Sequence, residues 1–158
     1  AALAFDGPAY RGLRAKDFTK RQQEFAQRHL RILCGLYGVL RPFDDIQPFR
    51  LEMGSKLENS KGKNLYEFWG DSVTEMIDKD LGTKGERLLI NCASQEYWKS
   101  VRPKLLSPGT RVVTCEFPGA SAYAKRARGL MARYIIENEV STADALKGFG
   151  GYAEDAYS

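Results

Sequence analysis

Two glycines flank a short apolar turn at Gly35-Leu36-Tyr37-Gly38, between Leu33-Cys34 and Val39-Leu40. Glycine lets backbone amides approach a phosphate group closely, and amides at the start of a following helix add a favourable dipole. In a helix-hairpin-helix element such contacts read the nucleic-acid backbone and not its sequence. The glycines stand further apart here than is usual in that hairpin. A glycine cap that ends a helix, followed by a loop, is an equally good interpretation.

A basic helix is predicted from Ser121 onward. Its apolar arc consists of Tyr123, Ala124, Ala127, Leu130, Met131, Tyr134 and Ile135. The remaining face carries Lys125, Arg126, Arg128 and Arg133, with Gly129 among them. These cations can contact phosphates with a salt-dependent, largely sequence-independent affinity, and Gly129 would let the helix backbone approach them. An ordinary solvated helix face is the alternative.

Polar residues within an otherwise apolar pattern suggest a second kind of site. Tyr97 and Lys99 follow a predicted strand that ends near Asn91, where α/β folds commonly place a site. Ser94 or Asn91 can contact a ligand there, while Tyr97 and Lys99 can transfer protons or bind an anion. The full set, which would serve an enzyme acting on a nucleobase, nucleotide or small metabolite, is Glu52, Asn64, Ser94, Glu96, Tyr97, Lys99 and Lys125. Packing of the aromatic rings in the core is the alternative.

Several common kinds of chemistry have no support in the sequence. His29 is the single histidine and lies on an apolar helical arc, so a hydrogen-bonded core residue is expected there. Cys34, Cys92 and Cys115 have neither metal-site spacing nor a disulfide framework. The chain also lacks a P-loop and a Gly-x-Gly-x-x-Gly motif after a strand. We therefore expect reduced thiols, no metal site and no cofactor.

Predicted helices and strands alternate along the chain. Helical periodicity begins at Thr19, which can cap the helix, and continues to Gly35. Further helices are predicted over Asn64–Leu81 and Gln95–Val101 and from Ser121 and Ser141, and strands over Ala2–Phe5, Gln47–Leu57, Arg87–Cys92 and Arg111–Phe117. This alternation predicts one α/β or mixed α+β unit, with residues 1–158 as a single domain.

Charge gives only weak guidance on partners. The chain has 158 residues with 24 Lys and Arg against 20 Asp and Glu, which suits a polyanion without requiring one. No apolar stretch approaches the roughly 20 residues of a membrane-spanning helix, and no signal-peptide pattern opens the chain. We expect a cytoplasmic protein without a membrane partner. Because Ala1 and not Met comes first, organellar targeting stays open.

Recognisable stretches are distributed over nearly the whole chain. They are Gln27–Leu33, Gly35–Pro42, Gln47–Gly54, Gly62–Asp71, Asn91–Tyr97, Val101–Lys104 and Tyr123–Asn138. Taken together and in this order, they resemble the YaaA family of peroxide-stress proteins. As a combined signature the match is highly specific.

The resemblance implies a YaaA-type "cantaloupe" fold of the mixed α+β class, with a positively charged cleft and a helix-hairpin-helix-like element. It also implies a protein that binds duplex and distorted or bubble DNA without sequence specificity and limits damage when peroxide meets intracellular iron. Carried over to this sequence, the DNA contacts would be Gly35, Leu36, Tyr37, Gly38, Arg41, Lys125, Arg126, Arg128 and Arg133.

The chain departs from the family pattern at three places. The family's first segment has no counterpart, so the chain is expected to be the C-terminal two thirds of a YaaA-family protein. Pro118–Ala122 replaces a longer charged hairpin, and the tail after Tyr152 ends before the family's closing basic strand. Both a monomer and a place in a larger assembly remain open.

Overall fold

The computed structural model describes residues 1–150, which divide into two compact units. Unit 1 consists of Ala1–Leu30, Arg41–Ile46 and the chain from Thr114, and unit 2 consists of Arg31–Leu40 and Gln47–Val113. A single domain over residues 1–158 stays a prediction. The predicted tail after Tyr152 lies outside the described residues.

Short helices and strands are mixed along residues 1–150. The helices are α1 (Pro8–Leu13), α2 (Lys20–His29), α3 (Leu65–Trp69), α4 (Ser72–Leu81), α5 (Gln95–Trp98) and α6 (Ser121–Glu137). The strands are β1 (Ile32–Cys34), β2 (Gly38–Leu40), β3 (Leu88–Asn91) and β4 (Arg111–Thr114), and 3-10 helices cover Ala15–Asp17, Pro103–Leu105 and Asp144–Gly148. This content confirms the mixed α+β class. Within the described range, no helix has both the length and the apolar character that crossing a membrane requires.

Unit 1 is built on a close contact between α1 and α6. A Cβ atom added to Gly129 would overlap the carbonyl oxygen of Ala9, and one added to Gly12 would overlap the carbonyl oxygen of Arg126. Both glycines are buried. The expectation that Gly129 opens the helix to a phosphate is therefore wrong, because this glycine is occupied by helix packing.

Helix α2 begins as predicted and ends earlier than predicted. Thr19 and Gln22 form a capping box, in which each side chain accepts a hydrogen bond from the other residue's backbone N–H. The helix stops at His29, and Ile32–Cys34 pair with β2 as a strand. His29 is consequently exposed, with its ring centroid 4.1 Å from that of Phe25, and not in the core.

Unit 2 has a small apolar core formed by α4 and the segment after α5. Val73, Ile77 and Val101 are buried at its centre. Half-buried side chains pack around them, namely Leu33, Val39, Trp69, Leu81, Leu89, Trp98 and Leu106. The sheet of β3 and β4 confirms the two strands predicted in this region. Leu88, Leu89 and Ile90 are half-buried, whereas the sequence predicted a fully buried strand.

Other predicted elements are altered by local backbone constraints. Ala2–Phe5 is a turn and not a strand, since the N–H groups of Ala4 and Phe5 both donate to the Ala1 carbonyl. Gln47–Leu57 is irregular, because the Gly54 N–H donates to a Glu96 carboxylate oxygen, at 2.9 Å, and not to a neighbouring strand. Gly70, at φ 53°, divides the predicted Asn64–Leu81 helix into α3 and α4.

Asp78 links α4 to the loop that precedes β4 through hydrogen bonds to Ser107. Its Oδ1 accepts the Ser107 N–H at 2.8 Å, its Oδ2 accepts the Ser107 hydroxyl at 2.7 Å, and Arg87 pairs with the same carboxylate. The hydrogen bonds from Ser107 lower the pKa of Asp78, and the Arg87 guanidinium lowers it further. The native state therefore favours the ionised form.

Replacing Gly129 by alanine should destabilise unit 1 by about 2 to 3 kcal/mol, because the new methyl group must displace the α1 backbone. Urea unfolding followed by circular dichroism measures the change. Gly150→Ala is the matched control, since a Cβ atom there meets nothing within 4 Å. Equal midpoints for the two variants would contradict the helix contact.

Replacing Asp78 by asparagine should lower the urea midpoint at pH 7. The difference in midpoint between the variant and the wild type should become smaller as the pH falls. A carboxyl group whose pKa is depressed by folding stabilises the native state above its unfolded pKa, about 4, and loses that effect as acid protonates it. The midpoint difference should thus narrow below about pH 4. Asp144→Asn, at a carboxylate paired only with exposed Lys147, is the control. A difference that is constant from pH 7 to pH 3 would argue against this assignment.

Candidate functional site

The Gly35–Gly38 turn is the tip of a β-hairpin. Strands β1 and β2 pair antiparallel in the register Ile32 with Leu40, Leu33 with Val39 and Cys34 with Gly38. The predicted helix before the turn is thus replaced by a strand, and the segment does not have the geometry of a helix-hairpin-helix. Leu36 at the tip is exposed, whereas Gly35 is buried.

Packing accounts for both glycines of this hairpin. The Gly35 carbonyl accepts the Trp69 indole N–H at 2.9 Å, and a Cβ atom on Gly35 would lie 2.8 Å from the Leu51 carbonyl oxygen. Gly38 has φ 79°, and a Cβ atom there would lie 2.9 Å from the Trp69 ring. The hairpin is therefore seated on Trp69, a residue to which sequence reasoning assigned no role in the turn.

Two further predicted contact residues have partners within their own units. In unit 2, the Tyr37 hydroxyl accepts the Gln47 N–H at 3.1 Å, and its ring packs edge-on against Phe49. In unit 1, the exposed Arg41 lies 3.3 Å from a carboxylate oxygen of Asp44. A role in DNA binding for the turn and for Arg41 stays a prediction.

The cations of α6 divide into exposed and half-buried groups. Lys125 and Arg126 are exposed in the first two turns of the helix. Arg128 is half-buried, with its guanidinium carbon 5.3 Å from the ring centroid of Phe117. The first turn contains no acidic residue, and Ala120 at the N-cap makes no side-chain hydrogen bond. This end of the helix therefore combines the positive end of the helix dipole with cationic side chains.

Arg133 serves the fold of unit 1, and its predicted part in DNA binding stays a prediction. One terminal nitrogen of its guanidinium donates to the carbonyls of Leu13 and Arg14, each at 3.0 Å, where α1 ends. The guanidinium also pairs with Glu137 and lies 5.2 Å from the Phe18 ring centroid. Its side chain is only 13% exposed. Arg133 thus adds a charged donor at the end of α1, where the last carbonyls of a helix lack partners within the helix; the Arg14 carbonyl also accepts the Asp17 N–H, at 3.0 Å.

In unit 2, several of the residues predicted for an enzyme lie around α3 and α5. Asn64 caps α3 by accepting the Glu67 N–H at 2.9 Å. The Tyr66 hydroxyl donates to the Glu96 backbone carbonyl at 2.7 Å, and the Lys99 ammonium lies 5.4 Å from the Tyr66 ring centroid. Asn64 and Tyr66 therefore hold segments of backbone together.

Tyr97 is half-buried in the same region of unit 2. Burial raises its pKa, the Glu96 carboxylate raises it further, and a hydrogen bond with the Met53 backbone opposes the shift. Glu52 and Cys34 raise this pKa as well. Tyr97 is consequently neutral near pH 7 and can donate a hydrogen bond, but it is a poor base.

The predicted enzyme residues are therefore only partly assembled. One region of unit 2 contains Glu52 and Tyr97, and Lys99 reaches it by contacting the Tyr66 ring. Ser94 is the N-cap residue of α5, where its side chain makes no capping hydrogen bond. Lys125 belongs to unit 1. Among residues 1–150, no three His, Cys, Asp or Glu side chains converge as metal ligands. Tyr66 was missed by sequence reasoning, although its place between capping Asn64 and Trp69 marks it as part of a helix.

Comparison with known proteins identifies relatives over nearly the full length of the chain. The family model described as peroxide stress protein YaaA matches residues 1–157. UPF0246 proteins of Burkholderia mallei (strain SAVP1) and Burkholderia pseudomallei (strain K96243) are each 50% identical over 99% of this chain. A UPF0246 protein of Burkholderia thailandensis is 49% identical over 98% of it. The chain spans 64% of the length of each of these relatives.

Replacing Arg133 by glutamine should destabilise the protein by about 3 kcal/mol, because the Leu13 and Arg14 carbonyls lose a charged donor in a mostly buried position. Urea unfolding at pH 7 measures the loss. Lys125→Gln, which removes an exposed charge from the same helix, should change stability by less than about 0.5 kcal/mol. Similar small effects for both variants would show that Arg133 is not part of the packing.

Proposed function

Because the chain belongs to the peroxide stress protein YaaA family, we propose that it acts in peroxide defence as a non-enzymatic DNA-binding protein. The DNA is duplex or locally distorted, as in a bubble, and is bound without sequence specificity. The proposed location is the cytoplasm.

The observation that carries the proposal is the cationic start of α6. Lys125 and Arg126 are exposed on a helix of 17 residues whose first turn has no acidic side chain and no side-chain cap. Amide N–H groups in the first turn of a helix carry partial positive charge and lack partners within the helix. An anion complements this end of α6, and each DNA strand offers one phosphate per about 3.4 Å of helix axis.

The lysine at position 125 also favours binding without sequence specificity. Lysine is a compact point charge on a flexible stem, and it binds phosphates without a fixed orientation. Sequence is read instead by side chains that make paired hydrogen bonds to base edges within a groove. A helix end that meets phosphates therefore gives affinity that is similar for all sequences.

Phosphate binding also supplies a route to protection against iron. DNA holds a condensed layer of cations, and side chains that neutralise phosphates release them. Ferrous iron is itself a divalent cation, so Lys125 and Arg126 compete with it for the same phosphates. Peroxide that reacts with iron away from the DNA is less able to damage the bases.

The enzymatic alternative has weaker support. Asn64, Tyr66 and Glu96 are engaged in holding backbone segments of unit 2, and Tyr97 is neutral near pH 7. A general base or nucleophile must instead reach a substrate atom in the reactive protonation state. An enzyme acting on a nucleobase, nucleotide or small metabolite thus stays the second hypothesis.

The proposal is tested by titrating labelled duplex and bubble DNA with the protein at several salt concentrations. Wild-type affinity should fall steeply as salt rises. Lys125→Glu combined with Arg126→Glu should lower affinity by about tenfold or more at low salt. It should also reduce the slope of log K against log salt by about 2, because each lost phosphate contact removes about 0.9.

Lys56→Glu combined with Lys84→Glu is the matched control, since it makes the same charge change at exposed loop residues of unit 2. This variant should retain most of the affinity. Wild-type binding that is insensitive to salt, or equal losses in the two double variants, would count against α6 as the DNA-binding element.

A further inference from the structure

Tyr123 is exposed although its position in the sequence pattern favours burial. The apolar periodicity of α6 places it on the same arc as Ala127 and Met131, which are both buried. The Tyr123 side chain is nevertheless 48% exposed. Among residues 1–150 its ring contacts no other ring and its hydroxyl makes no hydrogen bond. About half of this aromatic side chain is therefore open to solvent.

The position of Tyr123 on α6 brings it next to a cation. Residues three apart on a helix are surface neighbours, with Cβ atoms about 5 to 6 Å apart, so Tyr123 and Arg126 share one face. Arg126 is also exposed. An exposed ring beside a guanidinium matches the two groups of a nucleotide, since the ring stacks on a base and the cation pairs with a phosphate.

We propose that Tyr123 is a base-stacking residue that recognises unpaired nucleotides in distorted DNA, while the neighbouring Arg126 holds an adjacent phosphate. This inference rests on the proposed function and names the form of DNA that the start of α6 selects. In a regular duplex both faces of an interior base are covered by its neighbours, so Tyr123 has no face on which to stack. In a bubble the bases are free, and stacking adds to the phosphate contacts.

Substitutions of Arg126 and of Tyr123 should therefore change DNA affinity in different ways. Arg126 contributes to the affinity for every form of DNA, because all forms carry phosphates. Tyr123 contributes only where a base is unpaired, and its contribution changes little with salt because stacking neutralises no phosphate.

The test uses the full chain with two labelled DNA probes, a blunt duplex and the same duplex with a central mismatched bubble containing 2-aminopurine. Tyr123→Ala should weaken bubble binding by about tenfold, change duplex binding by less than about twofold and leave the salt slope unaltered. Wild-type protein should quench the 2-aminopurine fluorescence through stacking, and Tyr123→Ala should not. Tyr123→Phe should retain both the affinity and the quenching, because the ring and not the hydroxyl makes the contact.

Leu3→Ala is the control for removing an exposed apolar side chain from unit 1, since Leu3 is 63% exposed. It should leave both probes bound as in the wild type. Equal losses of bubble and duplex binding in Tyr123→Ala, or a Tyr123→Phe variant as weak as Tyr123→Ala, would overturn the stacking role while leaving DNA binding intact. Wild-type protein that binds neither probe would overturn the proposed function and this inference together.

Discussion

The contact between α1 and α6 is the constraint on which the arrangement of unit 1 depends. The two helices approach so closely at Gly12 and Gly129 that neither position has room for a Cβ atom. Once this approach is fixed, the rotation of α6 about its own axis is fixed as well. Arg133, one turn after Gly129, is then directed at the end of α1, while the side chains of Tyr123 and Arg126, nearer the start of α6, are exposed.

This constraint explains why cations of the same type on one helix differ in their chemistry. Arg133 donates to carbonyls at the end of α1, whereas Arg126 is exposed near the start of α6. A charge that is buried beside its partners cannot be removed without leaving those partners unsatisfied. Sequence composition counts the two arginines alike. They share nearly the same face of α6, because seven residues are close to two full turns, and they differ in where they lie along the helix relative to the end of α1.

The sequence predicted structural elements well where the interactions that form them join residues close together in the chain. The Thr19 capping box needs only residues within one turn of helix, and the predicted start of α2 is confirmed by both reciprocal hydrogen bonds. The end of that helix was predicted wrongly, because Ile32–Cys34 are stabilised as a strand by pairing with Gly38–Leu40. Gly129 was misread for a related reason. The partner that requires a glycine there is the Ala9 backbone, which is distant in sequence.

The sequence likewise predicted one part of the candidate site, its exposed cations, and missed another, its exposed ring. Periodicity placed Lys125 and Arg126 on a basic face, and both are exposed, yet the same periodicity placed Tyr123 in the apolar arc. Hydrophobic patterns report what a helix can bury, and they do not report how much of its length a neighbouring helix covers. The first two turns of α6 supply exposed charge and an exposed ring together. On the proposed function, that exposure is the physical reason why the start of this helix, and not the hairpin seated on Trp69, is the better surface for DNA.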